Sequence, residues 1–224
     1  MKYQIQGSPF PVAVVTLESG ESVICQKGAM TWMSPNVEMQ TKSGGLGKMF
    51  SRALTGESMF QNIYTAQGGP GMIAFGATGP GEIMAVELTP GKSIVAQKSA
   101  FLASESSVSY EMFLQKKMGS GFFGGEGFIM QKFSGQGMLL LEIDGSVVSY
   151  DLAAGQSMLI DTGYLAAMES TCSIDVESVK GVGNALLGGE GFFNTRVTGP
   201  GRIWLQTMPM PQLASSIARF IPSK

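Results

Sequence analysis

The chain has 224 residues, of which 14% are charged and 44% are hydrophobic, and its formal net charge is −2. This balance lacks the excess of basic residues that a nucleic-acid-binding domain carries, so no nucleic-acid partner is expected. The chain contains no histidine, which removes the commonest general base and the commonest metal-binding imidazole. We therefore expect no catalytic residues, no cofactor and no enzymatic activity.

The amino-terminal region predicts a strand rather than a signal sequence. MKYQIQGSPFPVAVV alternates polar and apolar residues, and no part of the chain approaches the roughly 18 consecutive apolar residues of a membrane-spanning helix. The two cysteines, Cys25 and Cys172, are far apart in sequence and form no metal-binding motif. Unpaired thiols suit a reducing compartment, and a disulfide between them stays open at this point. The expectation is a cytoplasmic protein.

The first predicted unit covers residues 18–88. It opens with a Gly-x-Ser step at Gly20 into a short apolar run that is typical of a strand. The segment 43–56 places Leu46 and Phe50 on one apolar face and predicts a short helix. The block that follows contains Glu57 and leads to a Gly-Pro-Gly triplet, which indicates a turn.

The same blocks recur in the same order in residues 89–152 and 153–210. A Gly-x-Ser step opens both units, and a Gly-Gly-Glu-Gly motif places Glu126 and Glu190 64 residues apart. Short β-type runs in each unit are bounded by Gly, Pro, Ser and Asp, as hairpins are. The shared period predicts three divergent copies of one β unit.

One unit alone would be marginally stable, and its strand edges would invite pairing. Three units around a pseudo-threefold axis would cover those edges. The predicted fold is therefore all-β, with three pseudo-symmetric β-sandwich-like repeats and short helices in a single domain. At the carboxyl end, residues 211–224 place Leu213, Ile217 and Phe220 on an apolar stripe and predict a helix.

The GGEGF…SGQGMLLLEI and GGEGFF…TGPGRIWLQ blocks, with the Gly-x-Ser strands, resemble a known family. It comprises uncharacterised bacterial and archaeal proteins related to the mitochondrial "altered inheritance of mitochondria" protein twenty-four, and the resemblance covers residues 2–210. It implies a pseudo-threefold β arrangement whose units are similar to the subunit of the tryptophan RNA-binding attenuation protein. It also implies that the mitochondrial relatives are linked to inner-membrane organisation. The resemblance brings no catalytic residues, and a shared fold does not imply binding of RNA or tryptophan.

Glu57, Glu126 and Glu190 occupy equivalent positions in the three units and are the best-marked polar residues. Three convergent carboxylates would suit a hard cation such as Ca²⁺ or Mg²⁺. Alternatively, each carboxylate accepts backbone N–H bonds and fixes its glycine-rich turn, a charge-assisted contact of about 1.5–3 kcal/mol. The structural interpretation is favoured, so no metal site is predicted.

Apolar residues precede each of these glutamates and form three candidate contact loops. They are Leu46, Phe50, Phe122, Phe123, Leu186 and Leu187. Basic residues such as Lys48 and Lys117 lie nearby, and this combination suits a membrane surface or a protein partner. Alternatively, the loops cap the core or form a contact between subunits.

The sequence therefore favours an uncharacterised, non-catalytic scaffold or binding protein that self-associates as a homo-oligomer. The first alternative is a peripheral membrane-associated protein that uses the apolar and basic loops. The second is a carboxylate-site metal-binding protein or enzyme, which the lack of histidine and of a nucleophile–base pair disfavours.

Overall fold

The computed structural model describes residues 1–41, 61–116, 127–178 and 193–221. Antiparallel strands dominate these ranges, which confirms the all-β prediction. The strands are β1 (Lys2–Gln6), β2 (Val12–Leu17), β3 (Ser22–Gln26), β4 (Met30–Met33), β5 (Val37–Thr41), β6 (Gln61–Ala66), β7 (Gly71–Gly76), β8 (Gly81–Leu88), β9 (Ile94–Gln97), β10 (Phe101–Glu105), β11 (Val108–Lys116), β12 (Phe128–Gly135), β13 (Gly137–Asp144), β14 (Val147–Leu152), β15 (Ser157–Asp161), β16 (Leu165–Glu169), β17 (Ser173–Ser178), β18 (Phe193–Thr198) and β19 (Gly201–Gln206).

The described strands form four sheets. Their orders are β1-β2-β7-β4 in sheet 1, β5-β6-β3-β10-β13-β8 in sheet 2, β11-β12-β9-β16-β19-β14 in sheet 3 and β15-β18-β17 in sheet 4. Each strand of sheet 2 therefore has a counterpart in sheet 3 that lies six strands later in the chain. This is the strand order that tandem copies of one unit would produce, whereas the threefold axis itself stays a prediction.

Three apolar cores lie between successive sheets. Core 1 joins sheets 1 and 2 around Phe75 and Leu140, core 2 joins sheets 2 and 3 around Phe133 and Leu139, and core 3 joins sheets 3 and 4 around Met130. The strands alternate side chains between their two faces, so sheets 2 and 3 each contribute to two cores. Consequently, each of the three cores formed by the described residues draws side chains from more than one third of the chain.

A glycine in a left-handed conformation precedes the first strand of each predicted unit. Gly20, Gly91 and Gly155 have φ angles of 82°, 85° and 77°. A residue with a Cβ atom adopts this backbone only with strain, which accounts for the glycine in each Gly-x-Ser step. The serine that follows by two residues then lies at or just before the start of β3, β9 or β15.

The predicted carboxyl-terminal helix is present but shorter than the apolar stripe suggested. Helix α1 covers Met210–Ala218, so Phe220 lies beyond its end. Two short 3-10 helices, Lys98–Ala100 and Thr162–Tyr164, precede β10 and β16. Within the described ranges, every helix is too short or too polar to cross a membrane. The predicted helix at 43–56 lies outside the described residues.

Candidate functional site

The residues singled out by the sequence motifs lie outside the described part of the chain. They are Glu57, Glu126 and Glu190 of the glutamate motif and Leu46, Phe50, Phe122, Phe123, Leu186 and Leu187 of the candidate contact loops. The segments that contain them connect three pairs of neighbouring strands, β5 with β6, β11 with β12 and β17 with β18. The metal-binding and contact roles of these residues therefore stay predictions.

The described residues contain a different candidate site, which consists of two edge strands. Strands at the corresponding positions elsewhere in the chain lie inside a sheet, and these interior strands are described first. In sheet 2, β3 pairs with β10, and Cys25 faces Ala103. In sheet 3, β9 pairs with β16, and Ala96 faces Ala167. These two ladders, which we call the internal joints, are where one third of the chain meets the next.

The counterparts of the joint strands at the two ends of the array have one neighbour each. Strand β4 corresponds to β10 and β16, and among the described strands it pairs only with β7. Strand β15 corresponds to β3 and β9, and it pairs only with β18 within the same ranges. We call β4 and β15 the terminal edges.

Apolar side chains that the internal joints bury are exposed at the terminal edges. Trp32 and Met33 of β4 are 48% and 36% exposed, and Leu159 of β15 is 54% exposed. At the corresponding positions of the joints, Ala167 and Val95 are fully buried. An exposed strand edge with apolar side chains is a template for pairing with another chain.

The register fixes which residues correspond. Along β4, Met30 faces Phe75 and Trp32 faces Ala74, with a bulge between the two pairs. Along β16, a bulge also separates Leu165 from Ala167. Trp32 therefore occupies the position of Ala167, and an alignment of the three predicted units would have shown this large side chain where β16 has alanine.

The joint strands β10 and β16 each end in a glutamate that accepts a backbone N–H of the neighbouring strand, and a serine after β4 makes the equivalent contact. Glu169 accepts the backbone N–H of Arg202 at 3.0 Å, and Glu105 accepts that of Met138 at 2.7 Å. After β4, the hydroxyl of Ser34 accepts the corresponding N–H, from Met72, at 3.0 Å. The edge strand β4 is thus held on β7 in the same way as β10 and β16 are held on their neighbours.

The two cysteine thiols are free and buried, and neither is activated as a nucleophile. Burial raises the pKa of Cys25 to about 12. Burial also raises the pKa of Cys172, and the nearby carboxylate of Glu169 raises it further. Since a thiol reacts as its thiolate, both environments suppress reactivity.

A buried polar cluster near the start of α1 is structural. Glu142 accepts hydrogen bonds from the backbone N–H of Thr78 at 2.6 Å and from its hydroxyl at 3.1 Å, and Asp144 accepts the N–H of Met210 at 2.7 Å. Burial raises the pKa of both carboxyl groups despite these donors. Every fully buried polar side-chain atom in the described ranges has a hydrogen-bond partner, and the contact of Asp144 with Met210 anchors the start of α1.

Beyond this anchor, α1 presents an apolar surface. None of its side chains is buried, Ile217 is half-exposed, and Phe220 just after the helix is 87% exposed. Ile221 is also exposed. These three exposed side chains lie after the third predicted unit, in the segment predicted as the carboxyl-terminal helix.

Comparison with known proteins places the chain in a family. Residues 3–208 match the family described as "Mitochondrial biogenesis AIM24". An uncharacterized protein of Streptococcus pyogenes serotype M6 is 33% identical over 234 residues, which is 100% of this chain and 92% of the relative. The X-ray crystal structure of a Streptococcus pyogenes protein, a structural genomics target, is 31% identical with a TM-score of 0.81, covering 98% of this chain and 99% of that one. The chain therefore belongs to the AIM24 family.

Proposed function

We propose that this protein is a non-catalytic scaffold or binding protein that self-associates as a homo-oligomer through its terminal edges. One observation carries the proposal: Trp32, Met33 and Leu159 are exposed at positions whose counterparts at the internal joints are interior. The same chain already contains the contact that these edges lack. A second copy of the chain therefore offers each edge a fitting partner.

The energetics favour covering these edges. Burying a side chain of leucine size or larger stabilises an assembly by about 1.5–3 kcal/mol, before the cost of association is subtracted. Pairing also satisfies the outward N–H and C=O groups of two edge strands. The low charge content of the chain, 14%, weakens the repulsion that would oppose such contacts.

The repeat organisation supports the same proposal. Sheets 2 and 3 each combine strands from two predicted units, whereas sheet 4 has only the β15-β18-β17 half and sheet 1 has the β2-β7-β4 half with β1. Sheets 1 and 4 are thus complementary halves of one such sheet. In this proposal the three units at 18–88, 89–152 and 153–210 are copies of one module, and the protein acts in the cytoplasm through contact rather than chemistry.

A second candidate function, a peripheral membrane contact, rests on a separate observation. Ile217, Phe220 and Ile221 are all exposed and lie within one short segment near the carboxyl end. Apolar side chains of this kind insert into the boundary between lipid headgroups and acyl chains. Co-sedimentation with anionic vesicles at low salt tests this function, and a protein that stays in the supernatant removes it.

Light scattering during size-exclusion chromatography, with and without a mild detergent, tests the main proposal. We expect a particle whose mass is a multiple of 23.6 kDa and which the detergent leaves intact. Protein that stays monomeric at every concentration up to roughly 100 µM would contradict self-association. Its dissociation constant would then be far weaker than the roughly 1 µM of a specific interface. A monomer that binds detergent would favour the membrane contact instead.

A further inference from the structure

We infer that the outer edge of β14 binds an extended segment of a different protein, which pairs antiparallel with β14 as β1 pairs with β2. The segment carries two apolar side chains, two residues apart, that lie opposite Val148 and Tyr150. This edge is separate from the terminal edges, so the inference goes beyond the proposed self-association. It states what kind of partner the protein would hold.

Strand β14 has the same place in sheet 3 that β2 has in sheet 1. Leu17, the last residue of β2, faces Gly71 of β7, and Leu152, the last residue of β14, faces Gly201 of β19. Both glycines close a Gly-Pro-Gly turn. The outer neighbours differ, because β2 pairs with β1, whereas β14 pairs only with β19 among the described strands.

Two positions that are buried on β2 are exposed on β14. Counted back from the final leucine of each strand, Val15 corresponds to Tyr150 and Ala13 to Val148. Ala13 and Val15 are fully buried in core 1, beside β1. Tyr150 and Val148 are 46% and 39% exposed, although alternation places them on the same face as Leu152, a core 3 residue. A strand in the place of β1 would cover them.

The outer edge of β14 also presents backbone groups for a ladder. The Ser146 carbonyl, just before β14, accepts the N–H of Thr207 at 3.1 Å and so faces the β19 side. Val147 faces the other way, and its N–H donates to the carboxylate of Glu82 at 3.4 Å. Because these directions alternate along an antiparallel strand, the N–H and C=O of Ser149 also point outward. They are the groups that pair with an added strand.

The sequence of β1 indicates the chemistry of the partner segment. Its residues Lys2–Gln6 alternate polar and apolar side chains, and Tyr3 and Ile5 face Val15 and Ala13. A partner with this alternation would gain affinity from backbone hydrogen bonds and specificity from its two apolar side chains. In every copy of the chain, β1 is already engaged on β2 through five facing pairs. The segment that occupies β14 therefore comes from another protein.

Thiol exchange with a synthetic peptide tests the site. The probe is the β1 sequence MKYQIQG with Tyr3→Cys, whose thiol is blocked by a chromophoric thiol, and the protein is full-length Tyr150→Cys. Position 3 of the peptide would face residue 150 in a pair without hydrogen bonds, where side chains are closest. A bound peptide raises the local concentration of its disulfide, so we expect release at least about tenfold faster than from the same peptide with Gln4→Pro. The proline removes the N–H that would reach Ser149.

Two controls separate binding from general reactivity. Met72→Cys is the matched protein variant, because Met72 is 39% exposed but lies in β7, which has a strand on both sides. It should react equally with both peptides. A peptide with Gln4→Cys and an intact Tyr3 should react slowly with Tyr150→Cys, because its position 4 would face Ser149 instead.

Equal rates for all three peptides at Tyr150→Cys, and for the second pair of Val148→Cys with an Ile5→Cys peptide, would overturn the site. So would an equally large preference at Met72→Cys. A covalent dimer in a mixture of full-length Tyr3→Cys and Tyr150→Cys proteins would show that β1 of a second copy takes the edge, which overturns the assignment to another protein. The exchange rates report on β14 alone, whereas light scattering of the wild-type protein tests the terminal edges.

Discussion

Trp32 faces Ala74 across the β4–β7 ladder, and this pair repeats, with the residues exchanged between strands, the facing of Ala167 and Trp204. The second pair lies inside a six-stranded sheet, whereas the first lies at a sheet edge. Trp32 is therefore a core-type residue that its own chain leaves half-exposed. The predictions about assembly follow from this difference in surroundings.

Replacing Trp32 with lysine should abolish self-association and leave the fold intact. A charge placed in an apolar seam loses its hydration without gaining a partner, whereas in the monomer Trp32 already faces water on one side. Light scattering should report a mass of 23.6 kDa, with the melting temperature of the dilute protein unchanged. Tyr150→Lys, at a residue of β14 that is 46% exposed, is the matched control and should stay oligomeric. Equal dissociation by both variants would contradict a specific edge.

Opposite charges on the two terminal edges of one chain should restore the contact. Met33→Lys and Leu159→Glu are each expected to be monomeric, because each places one unpaired charge in the seam. The double variant Met33→Lys/Leu159→Glu should self-associate again, because each contact between the β4 edge of one copy and the β15 edge of the next then brings a lysine to a glutamate, and a cross-strand pair of opposite charges is favourable. Sedimentation velocity measures this directly. A double variant that stays monomeric, when wild-type protein does associate, would show that these two positions do not meet at the contact.

The thiols should react slowly in the folded protein. With the pKa of Cys25 at about 12, roughly one thiol in ten thousand is ionised at pH 8, and the thiolate is the reactive form. Native protein mixed with a disulfide reagent should therefore release its chromophore much more slowly than protein in guanidinium. Rapid reaction of Cys25 under native conditions, followed by peptide mass spectrometry, would contradict its burial.

Glu142 should make the protein less stable as the pH rises. Burial raises the pKa of this carboxyl above its ordinary value of 4.5. Between the ordinary and the folded values, the folded protein binds a proton that the unfolded chain has released, so this stabilising contribution is lost as the pH rises through the folded value. The melting temperature of Glu142→Gln, relative to wild type, should therefore increase from about pH 5 to about pH 8. Asp151→Asn is the control. Arg202 lowers the pKa of Asp151 from its ordinary value of 3.8, so the ionisation of Asp151 changes the stability only at a pH below the range tested. A flat difference for Glu142→Gln would show that its carboxyl is not shifted.

Gly199→Ala should destabilise the fold, whereas Gly69→Ala should not. Both residues begin a Gly-Pro-Gly turn. A Cβ atom on Gly199 would lie 2.6 Å from the carbonyl oxygens of Leu152 and Ala153, while a Cβ atom on Gly69 would meet no atom within 4 Å. Forcing the backbone apart costs about 1–3 kcal/mol. Thermal unfolding of the two variants gives the comparison. Equal melting temperatures would contradict the close approach of the backbone at Gly199.

The strands and their turns were predictable from sequence because their causes are local. A left-handed glycine, a serine two residues on and an apolar run define β3 and β15 wherever they occur. The start of α1 was also predictable, because Pro211 falls in its first turn. The end of α1 was not, because the stripe that includes Phe220 packs on nothing that would extend the helix.

The candidate site at the terminal edges was not predictable from local patterns. Trp32 stands in an ordinary strand pattern, and its exposure results from the absence of a neighbouring strand rather than from its own sequence. The corresponding residue Ala167 is buried by β9, which is about 70 residues earlier in the chain. Whether a strand lies inside a sheet or at its edge is a property of the whole topology, so only the assembled sheets distinguish the two.

Because sheets 2 and 3 are shared between the predicted units, a unit of the sequence is not a unit that could fold by itself. Between Ser22 and Leu88, the chain contributes four strands to sheet 2 and two to sheet 1, while β10 and β13 complete sheet 2 from the next third. A cut after Leu88 would therefore pass through a sheet and its hydrogen-bonded ladders rather than through a linker between domains. If the three predicted units are copies of one module, adding a whole unit would lengthen the array without creating a boundary at which it would come apart.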